Sequence, residues 1–187
     1  MRLPRLLVLT DRTQCAGPLV ETVAAAVAAG ARAVLLREKD LPAAARESLA
    51  ASLSGILSPV GGTLLVAGTA HLAARDPFPA MRPPVLGRSC HDAAEVAAAR
   101  AEGCDYVTVS PVFPTASKPG YGPALGPAGL GALVADAPPV FALGGIRPTD
   151  VRACRAAGAY GVAVMGGVMR DPGSVADYVD ALEEAKP

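Results

Sequence analysis

The sequence predicts a TIM-like (β/α)8 barrel, shortened or irregular around residues 68–84, formed by one domain over residues 1–187. Three observations carry that expectation. Short apolar runs alternate with alanine-rich helical segments from end to end, which argues for a parallel sheet covered on its outer face. The clearest of these runs pass into polar or glycine-rich loops, as at Asp105–Lys118. The last third reads strand, glycine loop, helix twice over, through Ala142-Leu143-Gly144-Gly145-Ile146 and then Gly161–Gly167. In parallel barrels that order builds a phosphate site after the last two strands. Backbone N–H groups exposed by glycines beside helix N-termini bind phosphate without a charged side chain.

The elements follow in order. Leu6–Thr10 reads as a strand and Leu19–Ala29 as a helix stopped by Gly30. Ala33–Arg37 is a second strand. Pro42–Leu57 is a helix with Pro42 in the first turn, where a missing N–H costs nothing. Thr63–Ala67 and Val85–Ser89 are strands, and Asp92–Glu102 is a helix with Asp92 as its N-cap. Asp105–Ser110, Val140–Leu143 and Tyr160–Met165 complete the strands; Pro127–Ala135, Pro148–Ala157 and Gly173–Ala185 hold the remaining helices. That makes seven clear strands. An eighth has room only at Ala70–Ala73, separated from Ala67 by Gly68 and Thr69 alone. Neighbouring parallel strands need a crossover of about a dozen residues, so either the fourth strand is missing or the βαβ pattern breaks here. Pro77, Pro79, Pro83 and Pro84 make the following stretch an irregular connection rather than a helix.

Net formal charge is zero, which suggests neither a nucleic-acid nor an anionic-membrane partner. No apolar run approaches a membrane span, and Leu6–Leu9 is too short for a signal-peptide core, so a cytoplasmic location is the default expectation. Cys15, Cys90, Cys104 and Cys154 are scattered, without C-x-x-C or zinc-finger spacing, and read as reduced, mostly buried thiols.

The candidate site residues lie at strand ends. Arg37 and Lys39 are two apart and project to the side shared by Leu35, the interior and mouth of a barrel. Two cations there suit an anionic ligand; the competing reading pairs them with Glu38, Asp40 or another acid. Ser89 and His91 share one side, while Cys90 faces the helices, which argues against a Cys90–His91 pair. His91 is of the residue type that most often carries protons in catalysis; its competing role is to order the following loop or helix. Thr115, Ser117 and Lys118 sit in a loop stiffened by Pro111, Pro114 and Pro119 and read as ligand contacts. Gly144, Gly145, Gly166 and Gly167 read as a phosphate cradle, although glycines are common at barrel turns. Arg147 points either to the ligand or to solvent. His71, alone in an irregular segment, reads as structural.

In this order Leu36-Arg37-Glu38-Lys39, Gly87-Arg88-Ser89-Cys90-His91, Pro111-Val112-Phe113-Pro114-Thr115 with Ser117-Lys118, Gly144-Gly145-Ile146 and Val162-Ala163-Val164-Met165 resemble the thiamine phosphate synthase/TenI family over nearly the whole chain apart from Gly68–Pro84. The resemblance implies a TIM barrel, a role in making vitamin B1, and phosphate bound at Gly144, Gly145, Met165, Gly166 and Gly167. One branch of the family joins a pyrimidine diphosphate to a thiazole phosphate with magnesium. The TenI branch isomerises a thiazole carboxylate phosphate without metal, using the histidine of the Ser-x-His motif, here His91.

Three positions depart from the synthase pattern. The Asn-Asp pair after the third strand is matched by Ala67 and Gly68. Of the Gly-Val-His-Leu-Gly-Gln context before the second magnesium aspartate only His71-Leu72 remain, with Asp76 nearby. The pyrimidine-contacting glutamine is matched by Leu35. Neither alanine nor glycine has a side chain that ligates magnesium, which demands oxygen ligands. The expected function is therefore TenI-type thiazole tautomerisation with no cofactor: His91 as proton relay, Arg37 and Lys118 on the anion, Lys39, Ser89, Thr115 and Ser117 as further substrate contacts. Magnesium enters only under the alternative, thiamine phosphate synthase. A third reading is a non-catalytic binder of thiazole phosphate. The only partner expected in each case is a small molecule, with the oligomeric state left open.

Overall fold

A computed structural model describes residues 3–115 and 123–185. Eight parallel strands form one sheet in the order β3-β2-β1-β8-β7-β6-β5-β4. They are β1 (Leu6–Leu9), β2 (Ala33–Leu36), β3 (Thr63–Val66), β4 (His71–Leu72), β5 (Gly87–Cys90), β6 (Tyr106–Val109), β7 (Val140–Leu143) and β8 (Gly161–Val164). The helices are α1 (Leu19–Ala28), α2 (Ala43–Leu57), α3 (Ala93–Ala101), α4 (Gly126–Val134), α5 (Val151–Ala156), α6 (Gly166–Arg170) and α7 (Val175–Glu184). The expected helices over 148–157 and 173–185 each begin with a 3-10 turn, Pro148–Asp150 and Pro172–Ser174. Asp92 caps α3 as expected, its side chain accepting the Glu95 N–H at 2.9 Å.

Strand periodicity divides the apolar residues into two cores. Leu7, Leu9, Ala33, Leu35, Tyr106, Phe141 and Ala163 point inward and fill the barrel. Their alternating neighbours Leu6, Val8, Val34, Leu36, Val107, Val109, Val140, Ala142, Val162 and Val164 face the helices. Near-continuous apolar strands are what burial on both faces requires. Gly87 is glycine because a Cβ there would enter the Tyr106 ring, which leans across β5 inside the barrel. All four cysteines are free, and Cys90, Cys104 and Cys154 are buried.

The fourth strand exists, and the βαβ pattern does break. β4 is two residues long and pairs in parallel with β5. It meets β3 only through the Ala67–His71 bridge, and the Gly68 N–H donates to the His71 carbonyl at 2.8 Å. α2 packs against β3, but no described helix connects β3 to β4. Instead one guanidinium anchors the irregular stretch: Arg88, on the outer side of β5, donates to the carbonyls of Ala73, Ala74 and Asp76 at 2.8–3.2 Å and pairs with Glu102 at 2.8 Å. Arg88 is 3% exposed, so three carbonyls on Nη1 and the Glu102 carboxylate beside Nη2 offset a charge that burial would otherwise penalise, while Nε has no hydrogen-bond partner among the described residues. No described helix is long and apolar enough to cross a membrane.

Candidate active site

The C-terminal ends of the strands open into a cavity of about 650 Å³. Arg37, Lys39, Ser89, His91, Thr115, Gly144, Gly145, Met165, Gly166 and Gly167 all line it, so ten of the residues expected from sequence converge on one mouth. Ser117 and Lys118 lie outside the described residues. Leu35 lines the floor with Arg37 and Lys39, as period-two projection requires, and Cys90 is buried on the helix side.

The acids suspected of neutralising Arg37 are otherwise engaged. Arg12 binds Glu38 at 3.1 Å and Asp40 at 2.6 Å, tying the β1 loop to the β2 loop. Lys39 Nζ lies 3.8 Å from Asp76. Arg37 donates its backbone N–H to Thr10 Oγ1 at 2.9 Å, and its guanidinium reaches the Met165 sulfur at 3.7 Å. No carboxylate pairs with it among the described residues. That leaves a cation aimed across the mouth toward the end of β8.

His91 sits between β5 and β6. Its backbone N–H donates to Glu95 at 2.7 Å, and ring Nδ1 lies 2.7 Å from the Ser110 carbonyl. A carbonyl can only accept, so Nδ1 carries the hydrogen. In the neutral ring the lone pair is then on Nε2, the form a general base needs.

The two glycine loops differ. Gly144 and Gly145 have φ of +99° and +65°. A Cβ on Gly145 would run into the Pro114 carbonyl, so glycine there lets the β7 loop close against the β6 loop. Substitution at Gly145 would disturb that packing and is a poor probe of ligand approach. Gly166 and Gly167 open α6, and their first-turn N–H groups have no intrahelical acceptor. A Cβ on Gly167 meets nothing closer than the Tyr178 hydroxyl at 3.7 Å.

Sequence reading missed Asp11, Gln14, Arg170 and Tyr178, which line the cavity together with His71, the histidine read as structural. Arg170, one helical turn beyond Gly166, donates to Gln14 Oε1 at 3.0 Å beside the α6 loop; i, i+4 spacing was its only signal. Arg147 is held by Asp150 at 3.0 Å. Burial raises the Asp11 pKa, but hydrogen bonds from Thr13 and Gln14, with the charge of Arg37, leave it below the ordinary carboxylate value. Asp11 is the only carboxylate lining the cavity among the described residues, against Arg37, Lys39, Arg147 and Arg170, of which Lys39 and Arg147 have Asp76 and Asp150 beside them.

His71 is not a bystander in a loose segment. Its ring bridges Tyr106 and Ser89 at 2.9 Å on each side. Burial, then the charges of Lys39 and Arg37, lowers its pKa from 6.5 to about 3. The unfolded chain therefore takes up a proton as pH falls through about 6.5, whereas the folded one resists until about 3. The stability His71 contributes is complete above pH 6.5 and lost on going down that window. Relative to His71→Gln, urea unfolding should show the wild type losing up to about 1.4 kcal/mol per pH unit between these limits. Parallel pH profiles would contradict it.

Magnesium does not fit the residues present. At the end of β3, where oxygen ligands are required, stand Ala67 and Gly68. The Asp76 carboxylate accepts the Ala73 N–H at 2.7 Å and faces Lys39. Among the described residues no three His, Cys, Asp or Glu side chains are grouped to hold a metal.

The family model described as thiamine monophosphate synthase, TMP-TENI, matches residues 6–168. The chain belongs to this family. Within the thiamine monophosphate synthase family, a putative thiamine-phosphate synthase of Geobacter sulfurreducens is 38% identical over 186 residues, covering 89% of this chain and 87% of that protein. A thiamine-phosphate synthase of Moorella thermoacetica is 33% identical over 180 residues, covering 87% and 86%. The solved thiamine phosphate pyrophosphorylase of Pyrococcus furiosus superposes with a TM-score of 0.85 at 25% identity, covering 98% of this chain and 97% of that one. These relatives carry the name of the condensing enzyme rather than of a tautomerase.

Proposed function

We propose that this chain is an enzyme of thiamine biosynthesis that isomerises a thiazole carboxylate phosphate without a metal. Membership of the thiamine monophosphate synthase family supports the pathway and the substrate class. The donor set at the mouth carries the metal-free reading: Ala67 and Gly68 close β3, and Arg37, Lys39, Arg147 and Arg170 face the cavity. Cations and backbone N–H groups can hold two anionic ends of a ligand directly. The Gly144-Gly145 and Gly166-Gly167 loops take the phosphate. Arg37, with Lys118, takes the carboxylate as a charge-assisted hydrogen-bond donor. His91, kept in register by the Ser110 carbonyl, accepts a ring proton at Nε2 and returns it to another ring atom. The proton balance closes within one side chain, so no co-reactant is required.

The second reading is thiamine phosphate synthase, favoured by the names of the relatives. Both reactions should be assayed on purified protein, with magnesium and in EDTA. Isomerisation unaffected by EDTA, without condensation above background, is the expected result. Magnesium-dependent joining of pyrimidine diphosphate to thiazole phosphate would establish the synthase instead. Binding without either reaction would make the chain a non-catalytic binder.

A further inference from the structure

We propose that Tyr106 and His71 fix the hydroxyl of Ser89 as a hydrogen-bond donor into the cavity, so that this position reads an acceptor atom on the ligand. His71, Ser89 and Tyr106 lie on neighbouring strands, β4, β5 and β6. His71 Nδ1 is 2.9 Å from the Tyr106 hydroxyl, and Nε2 is 2.9 Å from Ser89 Oγ. The ring is neutral, because burial and the charges of Lys39 and Arg37 lower its pKa to about 3. It therefore carries one hydrogen, and the chain of bonds has two orientations.

In one orientation Tyr106 donates to Nδ1 and Nε2–H donates to Ser89, leaving the serine hydrogen over. In the other, Ser89 donates to Nε2 and Nδ1–H donates to Tyr106, leaving the phenol hydrogen over. The two ends decide between them. Tyr106 is 1% exposed, with its ring against the Gly87 backbone and edge-on to Phe141 at 5.6 Å. Its hydroxyl has no other acceptor among the described residues. A buried donor left without an acceptor shifts an equilibrium by about fivefold to more than a hundredfold. Ser89 lines the cavity, where water or ligand takes its hydrogen at no such cost. Thr108, opposite Ser89 in register on β6, forms no hydrogen bond with it. The first orientation wins.

Ser89 consequently aims its hydrogen into the cavity, while Nε2–H takes one of the two lone pairs on its oxygen. The hydrogen favours a carboxylate or phosphate oxygen, or an unprotonated ring nitrogen, as the ligand atom beside it. His71 is a positioning residue that acts through Ser89, and Tyr106 sets its polarity from within the barrel.

Nitrogen NMR on the 15N-labelled protein reads the tautomer directly. Wild-type His71 should be the Nε2–H form, and Tyr106→Phe should remove that bias. An Nδ1–H wild type would overturn the proposal whatever the substrate. Only the ligand probe rests on the proposed function. Calorimetry with thiazole carboxylate phosphate should show Ser89→Ala weakening binding about fivefold or more. Tyr106→Phe should weaken it less, and the double variant no more than Ser89→Ala alone. Losses that add in the double variant, or an unaffected Ser89→Ala, would also overturn it. A wild type that does not bind this probe would count against the substrate assignment, while the tautomer would still decide the role of His71.

Discussion

His91→Asn should lower turnover of thiazole carboxylate phosphate by about 10²–10⁴-fold, the contribution of a positioned general acid–base. Asparagine keeps a polar side chain of similar reach, and its Nδ2 can still approach the Ser110 carbonyl that now accepts from Nδ1 at 2.7 Å. What it removes is the lone pair on Nε2. Ligand affinity should therefore change little while kcat falls, the signature of an interaction made in the transition state alone. Equal losses of affinity and turnover would make His91 a binding or loop-ordering residue, the role its backbone bond to Glu95 already supports.

Arg37→Met should weaken binding of the same ligand by about 10- to 150-fold, the range of a hydrogen bond to a charged group. Methionine preserves much of the aliphatic stem beside Met165 and deletes the fork. Arg37→Lys should recover only part of the loss, because a point charge cannot reproduce two parallel N–H donors. Calorimetry distinguishes these outcomes, and an unchanged affinity in Arg37→Met would place the anion elsewhere. The large effect follows from the pairing pattern. Glu38 and Asp40 are both taken by Arg12, and Asp76 faces Lys39, which leaves the Arg37 charge for a ligand.

Much of this site was legible because it obeys strand periodicity. Alternation along 35–39 and 89–91 places Leu35, Arg37, Lys39, Ser89 and His91 on the mouth and Cys90 behind it. The glycine loops after the last two strands reach the same mouth because every parallel strand ends on that side. What remained hidden depends on contacts between distant segments. No local pattern marks Arg88 as the anchor of residues 73–76, because its partners are backbone carbonyls of another segment. His71 read as structural because its significance lies in two hydrogen bonds to β5 and β6, 18 and 35 residues away. Gly145 read as a place where a ligand approaches, but its Cβ direction points at the β6 loop, a clash invisible without the fold. The connection from β3 to β4 looked too short because neighbouring parallel strands usually need a crossover of about a dozen residues; here the two meet through a single bridge, Ala67 to His71.

The most direct measurement follows thiazole carboxylate phosphate by proton NMR in deuterated water containing EDTA, with His91→Asn as control. Metal-free proton transfer by the imidazole should interconvert the isomers and bring solvent deuterium into the product, with both processes suppressed in the variant. An unchanged substrate in EDTA, with condensation to pyrimidine diphosphate appearing only when magnesium is restored, would contradict the metal-free isomerase.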